Sequence, residues 1–170
     1  MKYDIRDINL APSGHRKIEW VRNNMPLLRA LEDEFKETKP FEGMKISLSV
    51  HLEAKTAYLC LVLAAGGAQM SVTGSNTLST QDDVAAALAD SGLSVFAYHR
   101  ATEEEYFRHI EMCLEHKPNI IIKHSFAVIT GVKSQVISSC ANIRVKGNTK
   151  LRILFVKKSQ PVIGYVNSRF

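Results

Sequence analysis

Acidic residues are missing from the last part of the chain, since residues 123–170 contain nine lysines and arginines but no aspartate or glutamate. Residues 1–122 carry 13 basic and 17 acidic side chains, a balance of −4, so the formal net charge of +5 comes entirely from the C-terminal segment. Because globular chains ordinarily mix charges of both signs throughout, this asymmetry indicates a change in the character of the sequence at residue 123.

Three further absences exclude whole classes of protein. The sequence has no apolar run of 18 residues, which predicts that no helix spans a membrane, and its N-terminal segment lacks the apolar stretch of a signal peptide. Its three cysteines, Cys60, Cys113 and Cys140, match no disulfide or zinc pattern, and we interpret them as buried free thiols of a cytoplasmic protein. Neither GxGxxG nor GxxxxGK occurs, so neither of these phosphate-binding loops is encoded.

Strand and helix patterns alternate regularly between residues 45 and 122. Residues 15–37 have helical spacing that Pro26 interrupts, which predicts a kink or a break into two helices. The pattern then predicts strands at 45–50, 69–73, 94–98 and 119–122, with helices at 53–65, 82–90 and 103–114 between them. This alternation predicts an α/β fold, in which an N-terminal helical segment precedes a Rossmann-like parallel sheet with flanking helices. Strand-like stretches follow at 126–130, 136–139 and 151–156.

The carboxyl ends of the predicted strands are the expected place for a ligand, because parallel sheets bind ligands at that edge. The candidate segments are 50–51, 73–76 and 123–124. His51 follows a strand and opens a helix, and Lys55 lies one turn further along the same side of that helix. Together they can form a polar corner that donates to a sugar or to a base carbonyl. The alternative is that His51 caps the helix and Lys55 is solvated.

The segment TGSNTLSTQDD links the second predicted strand to an alanine-rich helix. Ser79 or Thr80 is the expected N-cap residue of that helix, and the two aspartates that follow suit its positive end. Capping does not require Asn76 or Gln81, so these two side chains are candidates for hydrogen bonding to a ligand.

The helix predicted at 103–114 carries structural rather than functional signals. Thr102 and Glu105 fit a capping box, and the expected core stripe consists of Tyr106, Ile110 and Leu114. His109 and His116 have no partner at metal-ligand spacing, so no metal site is predicted. Trp20 and the other aromatic residues are interpreted as core.

Five segments, in order, resemble the N-terminal part of the S-adenosylhomocysteine hydrolase family: DINLAPSGHRKIEWVRNNMPLL, HLEAKTAYL, TGSNTLSTQDDVAAALA, VFAYHRATEEEYFRHI and PNIII. The resemblance covers about residues 3–122. It implies a substrate domain that binds a nucleoside thioether, and a separate domain that binds NAD. In the implied reaction, NAD oxidises the ribose 3′-hydroxyl, homocysteine is eliminated, water adds, and the ketone is reduced again.

The resemblance also implies roles for individual residues. His51 matches the acid/base histidine beside the ribose, and Thr56 matches a threonine of the same helix. Cleft-lining positions of the family are matched by Asn76, Ser79, Thr80 and Gln81.

Two positions of the first helix depart from the commonest family pattern. Glu53 stands where many members have threonine, and Lys55 stands where they have a glutamate that accepts from the adenine amino group. Lysine cannot accept that hydrogen bond but can donate to a carbonyl, such as O6 of hypoxanthine. HLEAKTA is similar to a prokaryotic, archaeal-type branch, and we hypothesise a preference for S-inosylhomocysteine.

A larger departure begins at Lys123, where the family continues Asp-Asp-Gly-Gly-Asp and its second aspartate is catalytic. Its later Ser-Glu-Glu-Thr-Thr-Thr-Gly motif has no counterpart in VISSCANIRVKGNTK. We therefore predict a truncated substrate-binding domain at 1–122 and a basic tail at 123–170, either out of frame or a divergent remainder of the domain. The NAD-binding domain is expected to be absent and the chain inactive alone.

Three interpretations of the chain follow from this. It is a truncated or out-of-frame product, a non-catalytic module that binds adenosine or inosine or docks on a partner, or a nucleic-acid binder through its basic tail. The third is disfavoured because the basic residues are scattered with few aromatic residues between them. Self-association is also predicted, because Ile122 lacks its usual continuation and part of the apolar sheet is expected to be uncovered.

Overall fold

The computed structural model describes residues 2–123 and the backbone of residues 140–142 and 152–156. In these residues the helices are α1 (Ala11–Asn24), α2 (Pro26–Thr38), α3 (Ala54–Ala65), α4 (Asp82–Asp90) and α5 (Glu103–Leu114). The strands are β1 (Tyr3–Ile5), β2 (Lys45–Val50), β3 (Gln69–Gly74), β4 (Ser94–Ala97), β5 (Ile120–Lys123), β6 (Cys140–Asn142) and β7 (Arg152–Val156). A short 3-10 helix at Ile8–Leu10 precedes α1.

The strands form one sheet in the order β1-β4-β3-β2-β5-β7-β6. The first five are parallel, as the alternation of strands and helices predicted, so the α/β fold class is confirmed. β7 runs antiparallel to both β5 and β6, and it lies within the strand-like stretch predicted at 151–156. The stretches at 126–130 and 136–139 lie outside the described residues, and the division of the chain at residue 122 stays a prediction.

The break predicted at Pro26 is present, since α1 ends at Asn24 and α2 begins at Pro26 itself. Proline suits this first helical position because its fixed φ is already helical and its missing N–H would find no partner within the helix. α2 then packs on α3, where the Tyr58 hydroxyl donates to Glu32 over 2.8 Å. The N-terminal helical segment therefore forms two linked helices.

The core lies between the parallel sheet and the helices that cover it. Leu48 of β2, Val72 of β3 and Val95 of β4 lie on the three central strands of the parallel part of the sheet and are fully buried. In α4 a run of six residues from Val84 to Ala89 is buried, and four of the six are alanines, which lets α1 approach closely. A Cβ atom added to Gly14 of α1 would lie 2.0 Å from the carbonyl oxygen of Asp83, so glycine is required at this contact.

Two expectations about the core are wrong. Trp20 is 65% exposed. The buried face of α1 consists of Ala11, Gly14, Ile18 and Val21, and Trp20 lies about 200° from Ile18 around the helix axis. The buried residues of α5 are His109, Ile110 and Cys113, whereas Tyr106 and Leu114 are only half-buried. The buried face of α5 therefore includes Ile110, as predicted, but it continues through His109 and Cys113 and not through Tyr106 and Leu114. The capping box of Thr102 and Glu105 is confirmed.

Cys60 and Cys113 are buried and free, as expected, and burial raises the pKa of the Cys113 thiol to about 11. Of Cys140 the structure describes only the backbone.

Each residue from Ile120 to Ile122 is 5% exposed, so the uncovered apolar strand on which self-association was predicted is not observed. Within residues 2–123, 140–142 and 152–156 no helix is long and apolar enough to cross a membrane, and no three His, Cys, Asp or Glu side chains are grouped to hold a metal ion.

Candidate functional site

The ends of β2 and β3 meet at the centre of the carboxyl edge of the sheet, where Val50 pairs in register with Gly74. Backbone hydrogen bonds join the loops that follow, from Ser75 N to Val50 O (3.0 Å) and from Gln81 N to Leu52 O (3.0 Å). Two of the three segments expected to converge are therefore in direct contact.

His51 is half-buried in the loop after β2, and its ring is turned toward the loop after β3. Its Nδ1 atom lies 2.6 Å from the hydroxyl oxygen of Ser79, and that hydroxyl also lies 3.1 Å from the carbonyl oxygen of Asn76, to which it can donate. α3 begins after Glu53, its N-cap residue, so the alternative in which His51 caps the helix is wrong. The contact instead links the two loops of the site.

The loop after β3 is folded around the carbonyl group of Asn76. This oxygen also accepts from the Thr80 hydroxyl over 3.0 Å, and the Asn76 side-chain oxygen accepts from Leu78 N over 2.8 Å. The N-cap residue of α4 is Gln81, so the expectation that Ser79 or Thr80 caps this helix is wrong. Their hydroxyls face into the loop instead, and Thr80 is buried as an internal support.

The side chain of Gln81 is held by Lys17 of α1. The lysine Nζ donates to the Gln81 side-chain oxygen over 2.9 Å and pairs with the Asp83 carboxylate at 2.7 Å. The Ser13 hydroxyl donates to the same carboxylate over 2.9 Å. Burial opposes ionisation of Asp83, but the hydrogen bonds from Lys17 and Ser13 outweigh it and lower the pKa of this carboxyl group. Lys17 was missed in the sequence, where it is one of several charged residues on an amphipathic helix.

The remaining candidate residues lie around this group. Glu53, the N-cap residue of α3, and Thr56 in its first turn are half-buried, and Lys55 is exposed in the same turn. Lys123 ends β5 in register with Ser49 and is 3% exposed, so the third segment also reaches this edge. His124 lies outside the described residues.

An open cleft of about 430 Å³ adjoins the group on the side of α5. It lies between the loop after β3 and the start of α5, and its lining comprises Ser75, Asn76, Thr77, Ala101, Thr102, Glu103 and Tyr106. Asn76 belongs both to this lining and to the loop that contacts His51. The volume is in the range of ordinary small-molecule sites.

The described residues do not fit NAD, the cofactor that the family resemblance implies. Dinucleotide sites use glycines to bring the backbone close to a pyrophosphate at a helix N-terminus. The glycine at the end of β3 serves another purpose, because a Cβ atom on Gly74 would lie 2.4 Å from the Thr80 hydroxyl oxygen. The space beside Gly74 is thus filled by the chain itself.

Comparison with known proteins gives consistent matches over this part of the chain. Residues 2–159 match the S-adenosyl-L-homocysteine hydrolase family. The S-inosyl-L-homocysteine hydrolase of Methanocaldococcus jannaschii is 51% identical over 120 residues, which are 71% of this chain and 29% of that protein. The S-inosyl-L-homocysteine hydrolase of Methanopyrus kandleri is 46% identical over 134 residues, 79% of this chain and 32% of the relative.

The adenosylhomocysteinase of Pyrococcus abyssi is 47% identical over 133 residues, which are 78% of this chain and 32% of that enzyme. The matched segment thus spans about three tenths of the length of these curated relatives.

Proposed function

Because the chain belongs to the S-adenosyl-L-homocysteine hydrolase family, we propose that residues 2–123 form the nucleoside-binding part of a hydrolase of nucleoside homocysteine thioethers. The observation that carries the proposal is the contact of His51 with Ser79 at the joined ends of β2 and β3. His51, which is suited to acid/base chemistry, thus lies at the edge of the sheet at which parallel α/β proteins bind ligands.

His51 is proposed to accept and donate a proton beside the ribose, a role to which an imidazole is suited. The Ser79 hydroxyl holds the ring through Nδ1, which directs the opposite ring edge away from the loop. The Asn76 side chain is fixed through its oxygen by Leu78 N, so its amino group is the end that can donate to a ligand oxygen. Thr80 contributes by supporting the loop from inside.

We assign the choice of base to Lys55. Its ammonium group can only donate, and it therefore suits the 6-oxo group of hypoxanthine rather than the 6-amino group of adenine. Its exposure in the first turn of α3 leaves it accessible to a ligand. Two of the relatives described above are named S-inosyl-L-homocysteine hydrolases, which supports the same preference.

We further propose that the 170-residue chain binds a nucleoside without hydrolysing its thioether. Lys123 and His124 stand where the family resemblance places two aspartates, the second of them catalytic, and neither lysine nor histidine supplies a carboxylate. The described residues also do not fit NAD, so we assign no step of the reaction to that cofactor here. What remains for these residues is to bind the nucleoside and to hold His51 in place.

Calorimetric titration of the 170-residue chain with inosine, adenosine and uridine tests the proposal. We expect saturable binding of both purine nucleosides, with inosine tighter, and weaker binding of uridine. His51→Ala should weaken purine binding, whereas His15→Ala should not, because His15 pairs with Asp90 away from the ends of β2 and β3. Absence of saturable binding would contradict the proposal and would favour a truncated product.

Two further outcomes test its parts separately. Adenosine binding at least about tenfold tighter than inosine would refute the assigned base preference. Release of homocysteine from S-inosylhomocysteine by the chain, detected with a thiol reagent, would refute the proposed lack of turnover while leaving the binding role intact.

A further inference from the structure

The side chain of Gln81 has an orientation that its neighbours fix. Lys17 Nζ lies 2.9 Å from its side-chain oxygen. An ammonium group has three N–H donors and no acceptor, so the end of the amide that faces Lys17 has to be the carbonyl oxygen. The amino group of Gln81 is therefore the end of the amide that does not face Lys17. Since the Gln81 backbone N–H donates to Leu52 O over 3.0 Å, this residue is also anchored beside the loop that carries His51.

Lys17 is itself held in place. Its ammonium group lies 2.7 Å from Asp83, whose side chain is 15% exposed. Asp83 also accepts from the Ser13 hydroxyl and from Val84 N, both over 2.9 Å. The close approach of α1 to α4 at Gly14 sets the distance across which these contacts form. A lysine side chain that is about half exposed is thus directed to one place by a fixed carboxylate.

We propose that Lys17 is a positioning residue of the nucleoside site. By taking the oxygen of the Gln81 amide, it turns the amino group toward the ligand, so the site offers a hydrogen-bond donor there and selects an acceptor atom on the nucleoside. Without Lys17 the amide can rotate and present either end. This inference rests on the proposed function, because it takes Gln81 to line the nucleoside site.

A double-mutant cycle with inosine as the ligand tests whether Lys17 acts through Gln81. Lys17→Met should weaken inosine binding by about two- to tenfold, the range expected for one hydrogen bond. In the Gln81→Ala background the same substitution should have almost no further effect. Lys17→Arg, which keeps a cationic donor, should restore most of the affinity. Arg16→Met removes a charge from the neighbouring exposed position of the same helix and should leave binding unchanged.

A ligand-free measurement separates this inference from the proposed function. The side-chain amide resonance of Gln81, assigned in a ¹H–¹⁵N spectrum by its loss in Gln81→Ala, should shift in Lys17→Met and remain in place in Arg16→Met. If the chain binds no nucleoside, the proposed function and the selection of an acceptor both fail, yet this shift still tests the orientation. An unchanged resonance in Lys17→Met, or an equal loss of inosine affinity with and without Gln81, would overturn the role of Lys17.

Discussion

The imidazole of His51 and the hydroxyl of Ser79 lie 2.6 Å apart, although 28 residues separate them in the sequence. The contact depends on the register of β2 and β3, which are paired over their full lengths as far as Val50 and Gly74. Because the two strands end together, the residues that follow them face each other across one short gap. The site therefore depends on the register of the sheet and on the fold of the two loops that follow these strands.

Ser79→Ala removes the hydroxyl that holds the His51 ring. We expect inosine affinity to fall by about two- to tenfold, the range for loss of one hydrogen bond. Calorimetric titration measures this directly. Ser91→Ala is the matched control, because the Ser91 hydroxyl donates to Ala87 O over 2.7 Å at the opposite end of α4. The two variants should differ in affinity; equal losses would show that the effect of Ser79 is not local.

Lys55→Glu should reverse the base preference. A carboxylate accepts from the 6-amino group of adenine and repels the 6-oxo group of hypoxanthine, so the ratio of inosine to adenosine affinity should fall by about tenfold or more. Lys55→Met removes the donor without adding an acceptor and should give an intermediate ratio. Titration of the three proteins with both nucleosides measures the ratio, and an unchanged value in Lys55→Glu would place the base elsewhere.

Much of the parallel sheet could be predicted from periodicity, because short strand-like stretches alternate regularly with helical stretches between residues 45 and 122. The predicted bounds of β2 and α4 coincide with the observed ones. β1 could not be found this way, since it is three residues long and exists only through its pairing with Val95, Phe96 and Ala97. Its strand conformation comes from tertiary contact and not from local preference.

The candidate site was predictable in position and less so in detail. The rule that ligands lie at the carboxyl ends of parallel strands located His51 and Asn76. The direction of the Ser79 and Thr80 hydroxyls was not predictable, because a capping hydroxyl and one that faces into its loop have the same sequence pattern. The contact of Lys17 with Gln81 spans 64 residues and becomes visible only when α1 is packed against α4.

Glu32→Gln should destabilise the chain. Glu32 is 8% exposed and lies 2.8 Å from the Tyr58 hydroxyl, 3.2 Å from Arg22 and 2.7 Å from Lys36. Neutralising it leaves Arg22 and Lys36 without their counter-charge and weakens the hydrogen bond from Tyr58, and we expect a loss of about 1–3 kcal/mol in the free energy of unfolding, measured with urea at neutral pH. Glu34→Gln, on the exposed side of α2, should change little.

The pH dependence of this effect has a definite sign. Burial opposes ionisation of Glu32, but the hydrogen bonds from Lys36 and Tyr58 and the charge of Arg22 outweigh it, so its pKa lies below the usual 4.5. The stabilisation is therefore present above that value and is lost as the pH falls through the lower pKa of the folded state. The difference in stability between the parent chain and Glu32→Gln should shrink in acid, and a difference that grows there would contradict this assignment.

Gly14→Ala should disrupt the packing of α1 on α4. The added Cβ atom would lie 2.0 Å from the Asp83 carbonyl oxygen and 2.8 Å from the Ala87 Cβ atom. Since the first of these atoms belongs to the backbone, relief requires the helices to move apart, and we expect a loss of about 3 kcal/mol. Asn23→Ala, on the exposed side of α1, controls for helix propensity. If Gly14→Ala is as stable as this control, the helices are not held at this distance.

His109 should make the chain less stable as the pH falls below neutrality. The residue is 1% exposed, its ring stands edge-on to Tyr98, and its Nε2 atom lies 3.4 Å from the Asp4 carboxylate. Burial lowers the pKa of His109 below the usual 6.5; the positive charge of Arg108 acts in the same direction, and Asp4 opposes both. The folded state therefore favours the neutral ring.

Protonation then favours the unfolded chain, in which the histidine has its ordinary pKa. The contribution of His109 to stability is fully present above 6.5 and is lost as the pH falls from that value toward the lower pKa of the folded state. Thermal unfolding between about pH 7 and about pH 5 should show a falling midpoint, and His109→Gln should flatten the slope. Burial also lowers the pKa of His116, so His116→Gln should independently reduce the dependence of the unfolding midpoint on pH. The double variant should show the smallest dependence. A slope unaffected by His109→Gln would mean that the buried ring is already protonated and paired with Asp4 in the folded chain.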